Sequence, residues 1–312
     1  MKLSIVIPAY NEEKNIKIII KEILDILINI PNIKTVQVII VDDHSSDKTF
    51  DTVSLMNDPR ITCLRLSKRH GSHTALRAGI KQVTGDAVLC ISADGQDDPN
   101  VLNDMIKKWT SGTHIIWALC KKRKDPLFIK WSAYLFYKML KWLTHSNNAR
   151  IDLSRADFYL LDRKVADAVN QCPERNTSLF GLINWLGFKQ DYVEYTRRKR
   201  FSGKSKWNFR SRLYLSKDWI IAFSGLPLII MSVIGVFVSV VGFLYAMFIA
   251  VYAILGNPIQ GWASIMIVIL ILGGLQMTML GIIGEYLWRN FNESRRRPLY
   301  FIEKDTQKKP DE

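Results

Sequence analysis

The sequence lacks charged side chains over a long stretch in its C-terminal third. Residues 219–284 contain no Lys, Arg, Asp, Glu or His, although charged residues make up 23% of the chain and its net charge is +14. Gly256, Asn257 and Pro258 divide the stretch into apolar runs at about 220–253 and 265–284. Because a membrane-spanning helix needs about 20 apolar residues, the pattern predicts a transmembrane hairpin. The alternative is a hairpin buried in the core of a soluble protein.

Basic residues flank the uncharged stretch on both sides. They are Arg197, Arg198, Lys199, Arg200, Lys204, Lys206, Arg210, Arg212 and Lys217 before it, and Arg289, Arg295, Arg296 and Arg297 after it. Since basic flanks tend to remain in the cytoplasm, we expect a multi-pass protein of the cytoplasmic membrane with both termini inside. The expected parts are a cytosolic domain at 1–217, two transmembrane helices within 218–290 (about 220–253 and 263–287) and a basic cytoplasmic tail at 291–312. Residues 304–312 are predicted to be disordered.

Other absences narrow the class of protein. The four cysteines, Cys63, Cys90, Cys120 and Cys172, show no CxxC spacing, which predicts free thiols in a reducing compartment. The apolar run at residues 3–7 is too short for a signal peptide. The positive charge would suit either nucleic acid or an anionic membrane. Because it is densest beside the apolar stretch, it favours the lipid bilayer, and no nucleic-acid partner is expected.

Short apolar runs alternate with amphipathic segments in the first 120 residues. The predicted strands are 3–7, 36–41, 61–66, 87–91 and 115–118, and the predicted helices are 15–27, 48–56, 73–82 and 100–108. This alternation predicts an α/β domain with a mostly parallel sheet that binds ligands at the carboxyl ends of its strands. No GxGxxG follows the first strand and no Walker loop occurs, which disfavours dinucleotide oxidoreductases and P-loop ATPases.

Polar residues follow three of the predicted strands. The segments are Pro-Ala-Tyr-Asn-Glu-Glu at 8–13, Val-Asp-Asp-His-Ser-Ser-Asp at 41–47 and Ser-Ala-Asp-Gly-Gln-Asp-Asp-Pro at 92–99. Each segment alone could be an ordinary turn. Three of them at equivalent strand ends would place carboxylates together at one edge. Such oxygen ligands suit Mg²⁺ or Mn²⁺ bridging a diphosphate, and a strand-end Asp can also accept hydrogen bonds from a nucleobase or ribose.

Further motifs make the chain similar to a known family along nearly its whole length. They are Cys-Pro-Glu-Arg-Asn at 172–176, Gly-Leu at 181–182, Trp-Leu-Gly-Phe at 185–188, Arg-x-x-Gly-x-Ser-Lys at 200–206, Gly-Glu-Tyr-Leu at 284–287 and Arg-Pro-Leu-Tyr at 297–300. The chain resembles the inverting GT-A glycosyltransferases of the dolichyl-phosphate-mannose-synthase class. It is more similar still to the bacterial and phage-borne polyprenyl-phosphate glycosyltransferases of O-antigen modification. The resemblance implies a Rossmann-like GT-A domain followed by a two-helix transmembrane hairpin.

The resemblance also implies roles for individual residues. The nucleotide would be held by Pro8, Tyr10, Glu12, Val41, Asp43, Ser92 and Ala93. The metal ligands would be Asp94 and Gln96, and the phosphates would be held by Arg123, Arg200, Ser205 and Lys206. Asp94, Asp157, Arg200 and Lys206 are the expected catalytic residues. The alternatives are that Arg200 and Lys206 are membrane-surface charges and that Asp157 caps a helix or forms a turn.

Three positions depart from the family pattern. Ser92 stands where the family commonly has Asp, and both Cys120 and Tyr159 stand where Arg is more usual. Ser92 brings no negative charge to a metal. The carboxylates of Asp97 and Asp98, a few residues later in the sequence, could supply the missing charge. These departures motivate a second hypothesis, in which the protein is a degenerate membrane-bound nucleotide-sugar binder or an assembly partner.

The acceptor's chemistry predicts the mechanism. A lipid phosphate is already anionic at neutral pH, so it can attack the anomeric carbon without a general base. We expect transfer of a sugar, such as the hexose of a UDP-hexose, to polyprenyl (undecaprenyl) phosphate with inversion, for use in O-antigen or similar envelope polysaccharides. Expected partners are the lipid bilayer, a second copy of the chain, a flippase and a downstream transferase. Residues 127–143 mix aromatic residues with lysines and are predicted to form either an interfacial helix or part of the core.

Overall fold

The computed structural model describes residues 1–121, 155–175, 177–199, 201, 226–255 and 261–307. The chain divides into two compact units, one made of Met1–Leu213 together with Pro298–Glu312 and the other of Tyr214–Arg297. The predicted interfacial segment at 127–143 lies outside the described residues.

The described part of the first unit contains an eight-stranded sheet. Its strands are β1 (Lys2–Ala9), β2 (Thr35–Asp42), β3 (Ile61–Leu66), β4 (Ala87–Cys90), β5 (Ile115–Cys120), β6 (Ala156–Asp162), β7 (Gln190–Tyr195) and β8 (Ile302–Asp305). Their order in the sheet is β7-β5-β6-β4-β1-β2-β3-β8. Strand β1 pairs in parallel with β2 and β4, and β2 pairs in parallel with β3. Strands β6 and β8 run antiparallel to their neighbours, so the sheet is mixed around a parallel, Rossmann-like centre.

Helices cover both faces of this sheet. They are α1 (Ile16–Ile28), α2 (Thr49–Ser54), α3 (Ser72–Ile80), α4 (Leu102–Thr110), α5 (Arg163–Gln171) and α6 (Leu179–Trp185). Alternate residues of β1 enter different cores, because Ile5 and Ile7 pack in one apolar cluster and Val6 packs in the other. Burial on both faces explains why the central strands are continuously apolar. The sheet's two cores therefore hold the loops at its carboxyl edge in fixed positions.

The five strands and four helices expected in the first 120 residues are confirmed to within a few residues at their ends. Strands β6, β7 and β8 were not predicted. Strand β7 alternates exposed and buried residues, and β8 has only four residues. The predicted disorder of 304–312 is wrong for residues 304–307, since β8 ends at Asp305 and the Cys63 amide donates to Thr306 Oγ1 at 2.9 Å.

The second unit contains two long helices, α7 (Leu226–Ile254) and α8 (Trp262–Ser294). The two helices contact each other near Gly235 of α7 and Met279 of α8. A Cβ placed on Gly235 would lie 3.9 Å from the terminal methyl of Met279. Within the described residues, one segment, Leu228–Ile249, is long and apolar enough to cross a membrane. Its side chains are largely exposed. The two-helix transmembrane hairpin therefore stays a prediction.

Candidate active site

The loops after β1 and β2 are joined by hydrogen bonds at the carboxyl edge of the sheet. The Asn11 amide donates to Ser45 Oγ at 2.9 Å, and the Ser46 amide donates to Asn11 Oδ1 at 2.8 Å. The Glu12 amide donates to Thr49 Oγ1 at 2.9 Å, which connects the first loop to the start of α2. The parallel pairing of β1 with β2 brings these loops together, as the sequence pattern predicts.

The Asp43 carboxylate fixes the loop that precedes α3. Its two oxygens accept from the amides of His70 at 2.6 Å and Gly71 at 2.8 Å. Burial raises the pKa of Asp43, and these two backbone donors oppose that shift. Beside it, the Arg69 guanidinium lies 4.1 Å from the centre of the Tyr10 ring. Two residues predicted to hold a nucleotide, Tyr10 and Asp43, thus lie at the same strand edge as this loop.

The remaining predicted nucleotide residues lie in or next to the same strands. Pro8 and Val41 are opposite each other in the pairing of β1 with β2. Glu12 is buried, and its Oε2 accepts from Asn15 Nδ2 at 2.6 Å. Ala93 is buried directly after the fourth strand.

The loop at 92–98 holds two carboxylates around one hydroxyl. Ser92 Oγ lies 2.9 Å from Asp94 Oδ1 and 2.5 Å from Asp97 Oδ2. The Gln96 amide also donates to Asp94 Oδ1, at 3.0 Å, and the Ser92 amide donates to Asp97 Oδ2 at 3.0 Å. Burial raises the pKa of Asp97 to about 6, with further increases from the charges of Asp157 and Asp94. Asp97 is therefore buried and held by the amide and the hydroxyl of Ser92.

Asp157 lies near the start of β6, so the interpretation of this residue as a helix cap or turn is wrong. Its Oδ2 accepts from the Tyr195 hydroxyl at 2.5 Å, and the same hydroxyl lies 3.3 Å from Asp97 Oδ1. Burial and the two carboxylates raise the pKa of Tyr195, so the phenol stays protonated. Strand β7, absent from the sequence prediction, thus supplies the group that connects Asp157 to Asp97.

The chain after β7 crosses the loop at 92–98, and we call residues 196–199 with Phe201 the crossing segment. Arg197 Nη2 donates to Gln96 Oε1 at 3.0 Å, and Arg197 Nη1 lies 3.9 Å from Asp157 Oδ1. The Arg198 amide donates to the Gln96 carbonyl at 2.9 Å. The basic residues 197 and 198 were interpreted from the sequence only as part of the membrane flank. In the structure, both contact the site.

Three further contacts, two made by Arg198 and one by Phe201, hold the crossing segment in place. The Arg198 guanidinium forms ion pairs with Glu22 on α1 and with Asp98, the latter at 2.6 Å. Phe201 covers Gly95, whose φ is +73°, and a Cβ at that glycine would lie 2.2 Å from the phenylalanine ring. Glycine is required there both by the left-handed backbone and by the close approach of the ring.

The donor atoms around Asp94 fit a divalent cation that arrives with a diphosphate. Within the described ranges, no three His, Cys, Asp or Glu residues are grouped as a metal site. Magnesium commonly uses only one or two protein carboxylates and takes its other ligands from phosphates and water. Asp94 and Gln96 offer such oxygens, although Gln96 Oε1 is already hydrogen-bonded to Arg197.

Several expected site residues lie outside the described part of the chain. They are Arg123, Arg200, Ser205 and Lys206. The resemblance leads one to expect an arginine at the position of Cys120. In the structure, Arg155 brings a guanidinium to the same place, since its Nε donates to the Cys120 carbonyl at 2.8 Å. No sequence signal had singled out Arg155.

Comparison with protein families identifies the class. Residues 4–165 match the model of glycosyl transferase family 2. The chain belongs to glycosyl transferase family 2. Among its relatives, the bactoprenol glucosyl transferase of Shigella phage SfV is 33% identical, over 99% of this chain and 100% of that protein. An uncharacterised glycosyltransferase of Synechocystis is 38% identical, over 97% of this chain and 95% of that protein.

Solved structures of other glycosyltransferases share the fold. Mannosyl-3-phosphoglycerate synthase from Rubrobacter xylanophilus aligns with a TM-score of 0.50 and 18% identity, covering 70% of this chain and 72% of that one. Glucosyl-3-phosphoglycerate synthase from Mycobacterium tuberculosis, in complex with Mn²⁺, UDP-glucose and phosphoglyceric acid, aligns with a TM-score of 0.50 and 14% identity. That alignment covers 71% of this chain and 78% of the other. The GT-A-like α/β sheet expected from the sequence is confirmed.

Proposed function

We propose that this family 2 glycosyltransferase moves a sugar from a nucleoside diphosphate to polyprenyl phosphate at the cytoplasmic face of a membrane. The observation that supports this most strongly is the full-length similarity to bactoprenol glucosyl transferases. The site agrees in its chemistry, because the Arg197 guanidinium lies between the loop after β4, which carries the Asp94 carboxylate, and Asp157 on β6.

The donor would bind across the loops after β1 and β2. Pro8, Tyr10, Glu12, Val41 and Asp43 are the proposed contacts to base and ribose, with Ser92 and Ala93 beside them. Buried carboxylates and backbone groups are suited to reading the polar edges of a base, since an unpaired buried partner is costly. We propose a UDP-hexose, in line with the UDP-glucose bound by the fold neighbour from Mycobacterium tuberculosis.

Asp94 and Gln96 are the proposed ligands of Mg²⁺ or Mn²⁺, a cation that would neutralise the negative charge of the departing diphosphate. Ser92 and the Gln96 amide hold the Asp94 carboxylate in one orientation by hydrogen bonds. The Arg197 guanidinium adds positive charge beside the same loop, where it can attract a phosphate. Side chains of this loop and of the crossing segment would thus supply both orientation and charge to the departing diphosphate.

The acceptor phosphate would be held by Arg123, Arg200, Ser205 and Lys206. Because this phosphate is already ionised, an oxygen of it can attack the anomeric carbon directly, and a single displacement inverts that carbon. Asp157 is proposed as an orienting group or base, fixed by Tyr195. Undecaprenyl phosphate is the proposed lipid, and the product would serve O-antigen or similar envelope polysaccharides, with a flippase, a downstream transferase and a second copy as partners.

Chain connectivity supports a membrane hairpin. The chain leaves the first unit at Leu213 and re-enters it at Pro298, and β8 then joins the same sheet as β1. If α7 crosses the bilayer, the chain must cross again to return, because both ends belong to one folded domain. We therefore propose two spans, with the catalytic domain and both termini in the cytoplasm, as the basic flanks also favour.

The test is a reconstituted transfer reaction. Full-length protein in nanodiscs is incubated with undecaprenyl phosphate, Mg²⁺ or Mn²⁺ and radiolabelled UDP-glucose or other nucleotide sugars. The expected product is a glycosyl phosphodiester that mild acid cleaves and whose anomeric carbon is inverted. A sugar linked to a hydroxyl, or a retained configuration, would contradict the proposal.

A matched pair of variants tests the site. Asp94→Ala should abolish transfer, and chelation should do the same to the natural protein, whereas Asp104→Ala, which removes an exposed carboxylate paired with Lys107, should leave transfer unchanged. The second candidate, a degenerate binder motivated by Ser92 and Cys120, predicts nucleotide-sugar binding without any lipid product.

A further inference from the structure

The last strand of the chain is held firmly on the edge of the sheet. In the antiparallel pairing of β8 with β3, Asp305 lies opposite Leu64 and Ile302 lies opposite Leu66. Contacts continue past both ends of the strand, where the Ser67 amide donates to the Phe301 carbonyl at 2.9 Å and Gln307 Nε2 donates to Thr62 Oγ1 at 2.6 Å. The register shifts between Arg65 and Leu66, so Glu303 is the extra residue of β8 at this point, between the paired Ile302 and Lys304.

Glu303 uses this position to contact Arg65 on β3. Arg65 Nε donates to Glu303 Oε2 at 3.2 Å, and His44 Nδ1 lies 3.5 Å from the same oxygen. The other end of the guanidinium faces the loop after β2, since Nη1 donates to Asp42 Oδ2 at 3.2 Å and Nη2 donates to the Ser45 carbonyl at 3.1 Å. One planar group thus joins the C-terminal strand to that loop.

The contact with Asp42 matters because that side chain is 0% exposed. A buried carboxylate is costly unless it is paired and hydrogen-bonded, and Asp42 obtains its partners from Arg65 and from the Ser45 amide at 3.0 Å. The donors of a guanidinium point in fixed directions. When Glu303 binds Nε, it fixes the orientation in which the two remaining nitrogens meet the loop.

The loop held in this way carries the proposed donor contacts. Asp43 follows Asp42 directly and binds the amides of His70 and Gly71. Ser45 Oγ accepts from the Asn11 amide in the loop after β1. We propose that Glu303 is a positioning residue for the nucleotide donor, acting through Arg65 on the loop at 42–46. This inference rests on the proposed function, because it assumes that the loop binds a nucleotide.

The experiment compares three variants of the full-length protein in nanodiscs. Glu303→Ala removes the contact and Glu303→Gln keeps an acceptor oxygen. Lys304→Gln is the control at the neighbouring position of β8, where the lysine is paired opposite Arg65 and its nitrogen lies 5.7 Å from the centre of the Phe50 ring. UDP and GDP are the binding probes, and hydrogen exchange of the Ser45 and Ser46 amides reports the loop without any ligand.

Glu303→Ala is expected to raise the Kd of the bound nucleotide and the donor KM by about threefold to fivefold, the scale of a partly exposed ion pair. The KM for undecaprenyl phosphate and kcat should stay within about twofold. Glu303→Gln should recover most of the affinity, and exchange at the two amides should accelerate only in Glu303→Ala. Unchanged exchange in Glu303→Ala, or equal effects in Lys304→Gln, would overturn the inference. Failure of both nucleotides to bind the natural protein, with the exchange result intact, would count against the proposed function instead.

Discussion

At the scale of single residues, the Tyr195 hydroxyl separates two neighbouring carboxylates, those of Asp97 and Asp157. It donates to Asp157 and lies within 3.3 Å of Asp97. Burial raises the pKa of Asp97, and the negative charge of Asp157 raises it further. A neutral phenol between them provides a hydrogen bond without adding charge.

Tyr195→Phe should therefore destabilise the protein without changing its packing. We expect the free energy of unfolding to fall by about 1.5–3 kcal/mol, the usual contribution of a hydrogen bond to a charged group, and transfer to slow because Asp157 loses the hydrogen bond that orients it. Thermal unfolding in detergent and kcat are the measurements. Tyr192→Phe, on the same strand but 37% exposed, is the control. Equal melting temperatures for the two variants would contradict this account.

His73, near the start of α3, provides a prediction about the pH dependence of stability. Its ring packs edge-on against Phe180, burial lowers its pKa to about 4, and its buried Nδ1 has no hydrogen-bond partner among the described residues. The folded state therefore prefers neutral histidine, and the unfolded state binds more protons between about pH 6.5 and pH 4. Stability that is fully present above pH 6.5 is lost as the pH falls through this range.

His73→Leu should remove that dependence. Between pH 7 and pH 4, the free energy of unfolding of the natural protein should fall by up to about 3 kcal/mol relative to that of the variant. This amount follows from the lowered pKa of His73 in the folded state. Melting temperatures measured across this range provide the check. Parallel pH profiles for the two proteins would show that His73 titrates normally in the folded state.

Residue types predicted part of the site. The resemblance assigned Asp94, Gln96 and Asp157 to one site, and in the structure Arg197 contacts both Gln96 and Asp157. The sequence could not reveal that Arg197 and Arg198 turn toward carboxylates, because a basic residue before a membrane segment has the same appearance in either role. Tyr195 was equally hidden, since its partner Asp157 is on a different strand.

At the scale of elements, the crossing segment connects the end of β7 to the loop at 92–98 and to α1. Arg198 contributes three contacts, two through its guanidinium and one through its amide. The chain continues from Phe201 into the block at 202–206 that contains Ser205 and Lys206. The ion pairs of Arg198 would therefore fix the starting point of the proposed acceptor-binding block.

Arg198→Ala should weaken use of the acceptor more than use of the donor. Two ion pairs whose side chains are only 25–27% exposed contribute together about 1–2 kcal/mol. We therefore expect kcat/KM for undecaprenyl phosphate to fall by about tenfold, with UDP affinity unchanged. Arg60→Ala, which removes the exposed pair with Asp58, is the control. A loss confined to UDP binding would refute this role.

Strands β1 and β2, which are buried on both faces, were predicted from the sequence, and strands β7 and β8, which have exposed side chains, were not. Strands β1 and β2 are apolar on both faces, so their pattern was clear in the sequence. Strand β7 has a mixed pattern, and β8 reads Ile-Glu-Lys-Asp, which is typical of a solvated tail. What stabilises β8 is pairing with β3, more than 230 residues earlier, and such a partner has no local signal.

At the scale of the whole molecule, the hairpin model makes a prediction about sidedness. Single cysteines are introduced at Asn257, at exposed Ser54 on α2 and at Gln307 in a cysteine-free background, and they are labelled with a membrane-impermeant reagent in intact cells. We expect labelling at Asn257 alone, since the uncharged turn should face outward and the two other positions inward. Labelling of all three positions from the same side would disprove the hairpin.

The position of β8 also has a consequence for how the protein is made. The ribosome completes β3 early, but the strand that covers its edge is translated only after the long apolar helices. During that interval the edge of β3 is open, and an open strand edge can pair with another chain and start aggregation. Insertion of the helices into the bilayer would keep nascent chains apart until β8 arrives. A fragment that ends at residue 217 would never close this edge, so its solubility should depend on supplying residues 298–307 as a separate peptide or through a linker.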